Sequence, residues 1–211
     1  MPDKTPPIEA VRPKTVPARH AASLIVLRRR AGCEPEMLMG MRGAGHKFSP
    51  NRLVFPGGAV DRADLRTQAS TPLKPATRRH LEKAANPLLA HGIGIAAARE
   101  LMEETGLSLG EPPALDGLDY LCRLVTPSPR PIRFNARFLV IDAERASGRI
   151  GGDGELEGLG FIGIAEAMAF DLAPPTRRVF DYLLTWLTLS PDERAARDTT
   201  PAYYLRKWRQ E

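Results

Sequence analysis

The stretch Arg99-Glu100-Leu101-Met102-Glu103-Glu104-Thr105-Gly106-Leu107 decides how this chain is read. It follows Ile95-Ala96-Ala97-Ala98, a run of good or fair helix formers, and Gly106 stands where a helix needs a left-handed C-terminal residue. In a helix, Glu100, Glu103 and Glu104 fall at i, i+3 and i+4 and share one face, within roughly 100° of arc. Leu101 and Leu107, with Ala97 and Ala98, turn the other way and are expected to anchor the helix in a core. Three carboxylates on one turn repel each other by roughly 0.2–0.5 kcal/mol per exposed pair. A helix survives that cost, yet folding alone does not require it, and a hard divalent cation with oxygen ligands would remove it. A solvated acidic face is the plain alternative.

Length and composition bound the rest. The 211 residues suit one domain with decorations, and the hydrophobic fraction of 43% with a charged fraction of 26% is that of a globular protein. The net charge of +5, carried mostly by arginine, favours anionic ligands such as phosphates. The charge is scattered and no groove-reading motif appears, so a nucleic-acid partner is not expected. Cys33 and Cys122 are too few for a disulfide framework and are read as reduced. No apolar run approaches membrane-spanning length, and Leu24-Ile25-Val26-Leu27 runs into three arginines instead of forming a signal core. The expected setting is cytoplasmic, with no membrane partner.

Residues 1–20, with five prolines, are expected to form a flexible basic arm. Residues 22–29 and 37–42 read as two strands of a hairpin, followed by a polar loop and then Leu53-Val54-Phe55-Pro56-Gly57-Gly58. Residues 65–98 hold Pro72, Pro75 and Pro87, a basic patch at Arg78-Arg79-His80 and a short helix expected over 81–85. Strands are expected at 120–126 and 134–141, the latter hydrophobic enough to be central. A Gly-rich segment over 147–160 leads to a short strand at 161–164 and a helix start at 165–167. Residues 176–189 form an amphipathic helix with Val179, Phe180, Leu183, Leu184 and Leu187 on its apolar side. The domain is bounded at 21–192. Residues 193–211 read as a basic, aromatic tail that docks on its own domain or on the partner of a homodimer.

The string at 99–107 fits R-E-U-x-E-E-x-G-U (U aliphatic), the second half of the Nudix box, and on it the chain resembles the Nudix hydrolases. Gly58 matches the first Gly of the box. The family then has five residues and a Glu; here Asp64 takes that place, one methylene shorter, which leaves open whether it helps hold a metal or caps the loop. About 27 extra residues, 65–91, separate Asp64 from Arg99, compared with the family's spacing of about seven. The turn Val54-Phe55-Pro56-Gly57-Gly58-Ala59-Val60-Asp61-Arg62-Ala63-Asp64, the insertion, and Thr126-Pro127 with Arg133-Phe134-Asn135-Ala136-Arg137-Phe138 resemble the coenzyme A diphosphatase side of the family. An insertion at a site's edge is read as a lid or specificity loop, outside the core and bordering the cleft, with a disordered segment as the alternative.

The resemblance implies an α/β fold, the Nudix α/β/α sandwich with a mixed sheet between helices. It implies hydrolysis of the diphosphate linkage of a small nucleoside diphosphate derivative, dependent on Mg²⁺ or Mn²⁺. Glu100, Glu103 and Glu104 match the metal-binding carboxylates, the Gly58 carbonyl a further ligand, and Arg99 the box arginine that holds a carboxylate through a forked ion pair. Glu103 and Glu104 are also candidate catalytic groups, and Glu155 is the candidate loop carboxylate that reaches the metals. Arg42, His46 and Arg52 flank the Gly-Gly turn as candidate phosphate contacts, and Phe48 is a candidate for stacking on a base. Coenzyme A or acyl-coenzyme A is the first expected substrate, and ADP-ribose or a nucleotide sugar the second. A non-catalytic nucleotide-binding regulator and an RNA-processing enzyme of the same fold are the alternatives from other classes.

Overall fold

The computed structural model describes residues 16–43, 51–128 and 130–211. Strands β1 (Arg19–Arg28) and β2 (Glu36–Arg42) form the expected antiparallel hairpin, with Leu27 opposite Met37 and Arg28 opposite Glu36. Beyond that pairing the two strands part. The opening is filled by β3 (Leu53–Val54), which pairs with β2, and by β4 (Gly57–Ala59), which pairs with the start of β1. The short strands β5 (Leu107–Ser108) and β8 (Ser147–Gly148) form a separate ladder.

Among the described residues the main sheet runs β11-β10-β6-β7-β1-β2-β3, with β9 (Leu156–Gly163) on the free side of β2. Here β6 is Asp119–Val125, β7 is Phe134–Asp142, β10 is Pro201–Tyr204 and β11 is Lys207–Gln210. β7 is parallel to β1 and β10 to β6, whereas the remaining pairs are antiparallel, so the sheet is mixed. As expected, β7 is central.

Alternation along the inner strands produces two cores. Ala22, Leu24 and Val26 of β1, with Leu139 and Ile141 of β7, face helices α1 (Pro75–Glu82) and α2 (Pro87–Thr105). Ile25 and Leu27, with Phe138 and Val140, face α3 (Ile164–Ala169) and α4 (Pro174–Thr188). Helices thus cover both faces of a mixed sheet, the α/β/α arrangement expected. No helix among the described residues is long and apolar enough to cross a membrane. On α4, Val179, Phe180, Leu183 and Trp186 are buried, but Leu184 is 42% exposed and is not part of the apolar face. At 100° per residue it stands a quarter turn round from Leu183.

Three expected boundaries shift. The box helix does not begin after the insertion. It starts at Pro87, inside 65–91, because the Asn86 side chain accepts from Leu89 N at 2.8 Å and proline suits the first helical position. The short helix lies at Pro75–Glu82 instead of 81–85. The insertion also belongs to the core: Leu73, Leu81 and Ala90 are buried, and α1 packs on α2 and β6. At the other end the fold continues past 192. Helix α5 (Pro191–Ala196) opens with a capping box between Ser190 and Glu193, and β10 and β11 extend the sheet beside β6. Trp208 packs on Tyr182 and Tyr203, at 5.8 and 5.5 Å between ring centroids.

If α1 is a core element, Leu81→Ala should destabilise the protein by about 2–5 kcal/mol, read from urea unfolding. A loss below about 1 kcal/mol would mean that the insertion sits on the fold without supporting it.

Candidate active site

Small side chains let α2 lie close to the sheet. Gly92, Gly94, Ala96, Ala97 and Ala98 are buried, and the helix packs directly on β1 and β4. Its last two turns therefore emerge beside the Gly57-Gly58 turn. A β-carbon at Gly58 would stand 2.2 Å from Glu100 Oε1, so only glycine lets that carboxylate rest against the backbone. Gly57 N donates to Glu104 Oε2 at 2.7 Å. Gly106 closes the helix in the left-handed conformation, φ 74°, as its position predicts.

Arg99 uses its whole guanidinium. Nε and Nη2 fork onto Asp64 at 3.0 and 3.1 Å, Nη2 also reaches Ala59 O at 3.0 Å, and Nη1 donates to Glu100 and Glu103 at 2.8 Å each. Asp64 is 1% exposed, and its Oδ2 also accepts from Asp61 N at 2.8 Å. Asp64 is thus the anchor of Arg99. The bond to Asp64, followed by the charge of Glu100, raises the Arg99 pKa above that of an ordinary guanidinium.

The glutamates differ in environment. Glu104 is 2% exposed, because close packing of α2 on β4 places it beneath the Gly-Gly turn and off a solvated face. Burial pushes its pKa up to about 8, helped by the charges of Glu100 and Glu155 and opposed by the Gly57 N–H and Arg42. Burial also raises Glu100, against the pull of Arg99. Glu103 is half exposed and turned toward Arg99.

Glu155 is delivered by a loop that the sequence did not reveal as a cap. Asp153 N and Gly151 N donate to Glu103 O and Thr105 O, each at 2.9 Å, which closes the free carbonyls at the end of α2. The loop then enters β9 with Leu156 paired to Arg42. Arg42 Nη2 lies 3.3 Å from Glu155 Oε1 and 3.7 Å from Glu104 Oε1, and Arg42 Nε is buried without a hydrogen-bond partner among the described residues. The run Gly151-Gly152-Asp153-Gly154 was the available signal. Arg52 points elsewhere, donating to Asp171 O at 2.6 Å and pairing with the Asp171 carboxylate. His46 and Phe48 lie outside the described residues.

The structure thus brings Gly58, Arg99, Glu100, Glu103, Glu104, Glu155 and Arg42 into one neighbourhood. Among the described residues no three His, Cys, Asp or Glu side chains converge to hold a metal ion, because Arg99 holds Glu103 and Arg42 holds Glu155. The donor chemistry nevertheless suits a hard divalent cation. Glu100 and Glu104 are oxygen donors whose charged forms are disfavoured by burial and by neighbouring carboxylates.

A titration follows from Glu104. With a folded pKa of about 8 against 4.5 unfolded, the native state keeps a proton that the unfolded chain has released. That contribution is present below pH 4.5 and is lost as pH rises toward 8. In EDTA, stability should fall across this window by at most about 1.4 kcal/mol per pH unit relative to Glu104→Gln. Parallel pH profiles for the two proteins in calorimetry would show instead that Glu104 is ionised in the native state.

No protein-family model matches the chain. A segment of 89 residues, 42% of the chain, is 35% identical to putative nudix hydrolase 7 of Caenorhabditis elegans; the match spans 22% of that protein. The fold superposes on a NUDIX hydrolase from Alicyclobacillus acidocaldarius with a TM-score of 0.63 and 22% identity, covering 82% of this chain and 93% of the other. The NUDIX domain of Shewanella oneidensis NrtR, crystallised with ADP ribose, gives a TM-score of 0.50 and 14% identity over 84% and 94% of the two chains. The fold is therefore that of the Nudix proteins, and a segment of the chain is similar to a nudix hydrolase.

Proposed function

We propose that the protein is a metal-dependent hydrolase that cleaves the diphosphate linkage of a nucleoside diphosphate derivative. The observation that carries this reading is the pair Glu100 and Glu104, pressed against the Gly57-Gly58 turn with raised pKa values, Glu100 being held by Arg99, which is itself anchored on Asp64. Glu100, Glu103, Glu104 and the Gly58 carbonyl would hold Mg²⁺ or Mn²⁺, with Glu103 leaving Arg99 to join them. When bound, such an ion offsets the carboxylate charge, polarises the diphosphate and acidifies a coordinated water.

The chain's own groups account for the rest. Arg42, between Glu104 and Glu155, is placed to contact a substrate phosphate once Glu155 turns to the metal. Glu155 is the further carboxylate able to take the proton as water oxygen bonds to phosphorus and the bridging P–O bond breaks. Arg99 acts by positioning Glu100. Arg52 reaches a substrate only by leaving Asp171, so it is the weaker of the two arginine candidates.

Coenzyme A or acyl-coenzyme A is the first candidate substrate, on the resemblance of residues 54–64 and 126–138 to the coenzyme A diphosphatases. ADP-ribose is the second, favoured by the shared fold of the NrtR domain that binds it. The two unbridged cysteines, Cys33 exposed and Cys122 buried, accord with a cytoplasmic setting.

Hydrolysis should require Mg²⁺ or Mn²⁺ and stop in excess EDTA. Glu103→Gln, at a half-exposed position, should lower kcat at least about a hundredfold with an unchanged circular dichroism spectrum. The comparison that names the substrate is kcat/KM for coenzyme A, 3′-dephospho-coenzyme A and ADP-ribose. A preference for ADP-ribose removes coenzyme A and keeps the hydrolase. Tight binding with no turnover of any of the three in Mn²⁺ leaves the nucleotide-binding regulator.

A further inference from the structure

At the opposite end of α2 from the glutamates, a depression of about 240 Å³ lies between the start of β1, the turn after β4 and the first turn of the helix. Val60, Leu65 and Leu89 form its apolar wall, and the last two come from the insertion. Arg19 and Arg62 stand at its rim, exposed and without a hydrogen bond or ion pair from their side chains among the described residues. The lining is completed by Asp61 and His20.

His20 connects this depression to a buried charge. Its Nδ1 lies 2.8 Å from Arg137 Nη1, and because a guanidinium only donates, Nδ1 is the acceptor and the ring is neutral with its proton on Nε2. Burial and the charges of Arg137 and Arg123 lower the His20 pKa, in agreement with that tautomer. Arg137 is 1% exposed and among the described residues meets only neutral acceptors: His20, Asn135 O at 3.0 Å and Ala84 O at 2.7 Å. Its Nε is buried with no partner among the described residues, and burial pushes its pKa down to about 10. A guanidinium inside a fold normally touches a carboxylate; among the described residues none contacts Arg137, and the Glu211 carboxylate that acts on it is held by Arg123.

We propose that this depression is a second ligand site that takes a small phosphate monoester. The phosphate would sit between Arg19 and Arg62 and accept from His20 Nε2, in the field of Arg137 behind the ring. Asp61 limits the choice: its carboxylate repels a bare anion but accepts from a hydroxyl on the same ligand, while Val60, Leu65 and Leu89 cover a short carbon body. Leu89 and Glu100 are separated by about 16 Å along the helix axis, so one phosphate cannot reach both ends. The site also adjoins the anchor of the box, since Asp61 N donates to Asp64 Oδ2 at 2.8 Å.

Calorimetric titration of the metal-free full chain with glycerol 3-phosphate tests this, with metal absent so that the outcome stands apart from diphosphate hydrolysis. The expected result is saturable binding, weakened at least about tenfold by the double variant Arg19→Gln/Arg62→Gln. Arg177→Gln/Arg178→Gln, which removes the same charge from the exposed face of α4, should leave it unchanged. The His20 ring signals should shift on titration by NMR. Equal weakening by both double variants, equal binding of glycerol, or no saturable binding at millimolar concentration would overturn the proposal.

Discussion

The guanidinium of Arg99 rejoins two parts of the chain that the insertion separates. Its side chain carries five N–H donors, and five acceptors meet them: both oxygens of Asp64, the carbonyl of Ala59, and one oxygen each of Glu100 and Glu103. Ala59 and Asp64 precede residues 65–91, whereas the glutamates follow them. A lysine offers three donors from one point and could not span both sides, so this position needs the fixed fork of arginine. Because Asp64 is fully buried and also accepts from Asp61 N, the anchored side of the fork is rigid. The glutamate side is half open, and Glu103 is the one member of the group free to reorient at small cost.

The insertion is tolerated because it does not lie between the two halves in space. Residues 65–91 leave the site at Asp64, bury Leu73 and Leu81 against α2 and β6, and return as the first turn of α2 itself. The helix that ends at the glutamates is therefore built partly from the inserted residues. Lengthening a loop costs little closure entropy once its ends are fixed, and here the inserted residues gain buried contacts of their own. His80 and Arg79 extend the tie to the far end of the chain, through Arg197 O at 2.9 Å and Ala195 O at 2.5 Å.

Local rules made part of this structure legible. The hairpin of β1 and β2, the central β7, the glutamate-bearing turns of α2 and its left-handed Gly106 follow from periodicity and glycine chemistry within a few residues. What was missed depends on distant partners. Asn86-Pro87 reads as a break until its side chain is seen capping a helix, and Gly92 and Gly94 weaken any helical reading although they are what lets α2 touch the sheet. β10 and β11, four residues each, carry too little pattern to be recognised apart from β6. Of the candidate site, spacing placed the glutamates on one turn. It could not show that Glu104 is buried, that Arg52 is held by Asp171, or that the loop over 151–155 caps α2 and so sets Glu155 beside Arg42.

The charge balance of the site bears on which ligand it is built to receive. Asp64, Glu100, Glu103, Glu104 and Glu155 are opposed by Arg99 and Arg42. With its pKa near 8, Glu104 keeps its proton at neutral pH, and the carboxylates still outnumber the guanidiniums by two. A diphosphate would add negative charge to a group already in excess, so the chain alone repels the substrate proposed for it. Glu104 and Glu155 are carboxylates that would hold a divalent cation, which would supply the positive charge the phosphates need. With Glu155 so engaged, the Arg42 guanidinium, whose buried Nε has no partner among the described residues, would be available to the phosphate. Metal and substrate would then bind in order, the first creating both the charge and the arginine that the second needs.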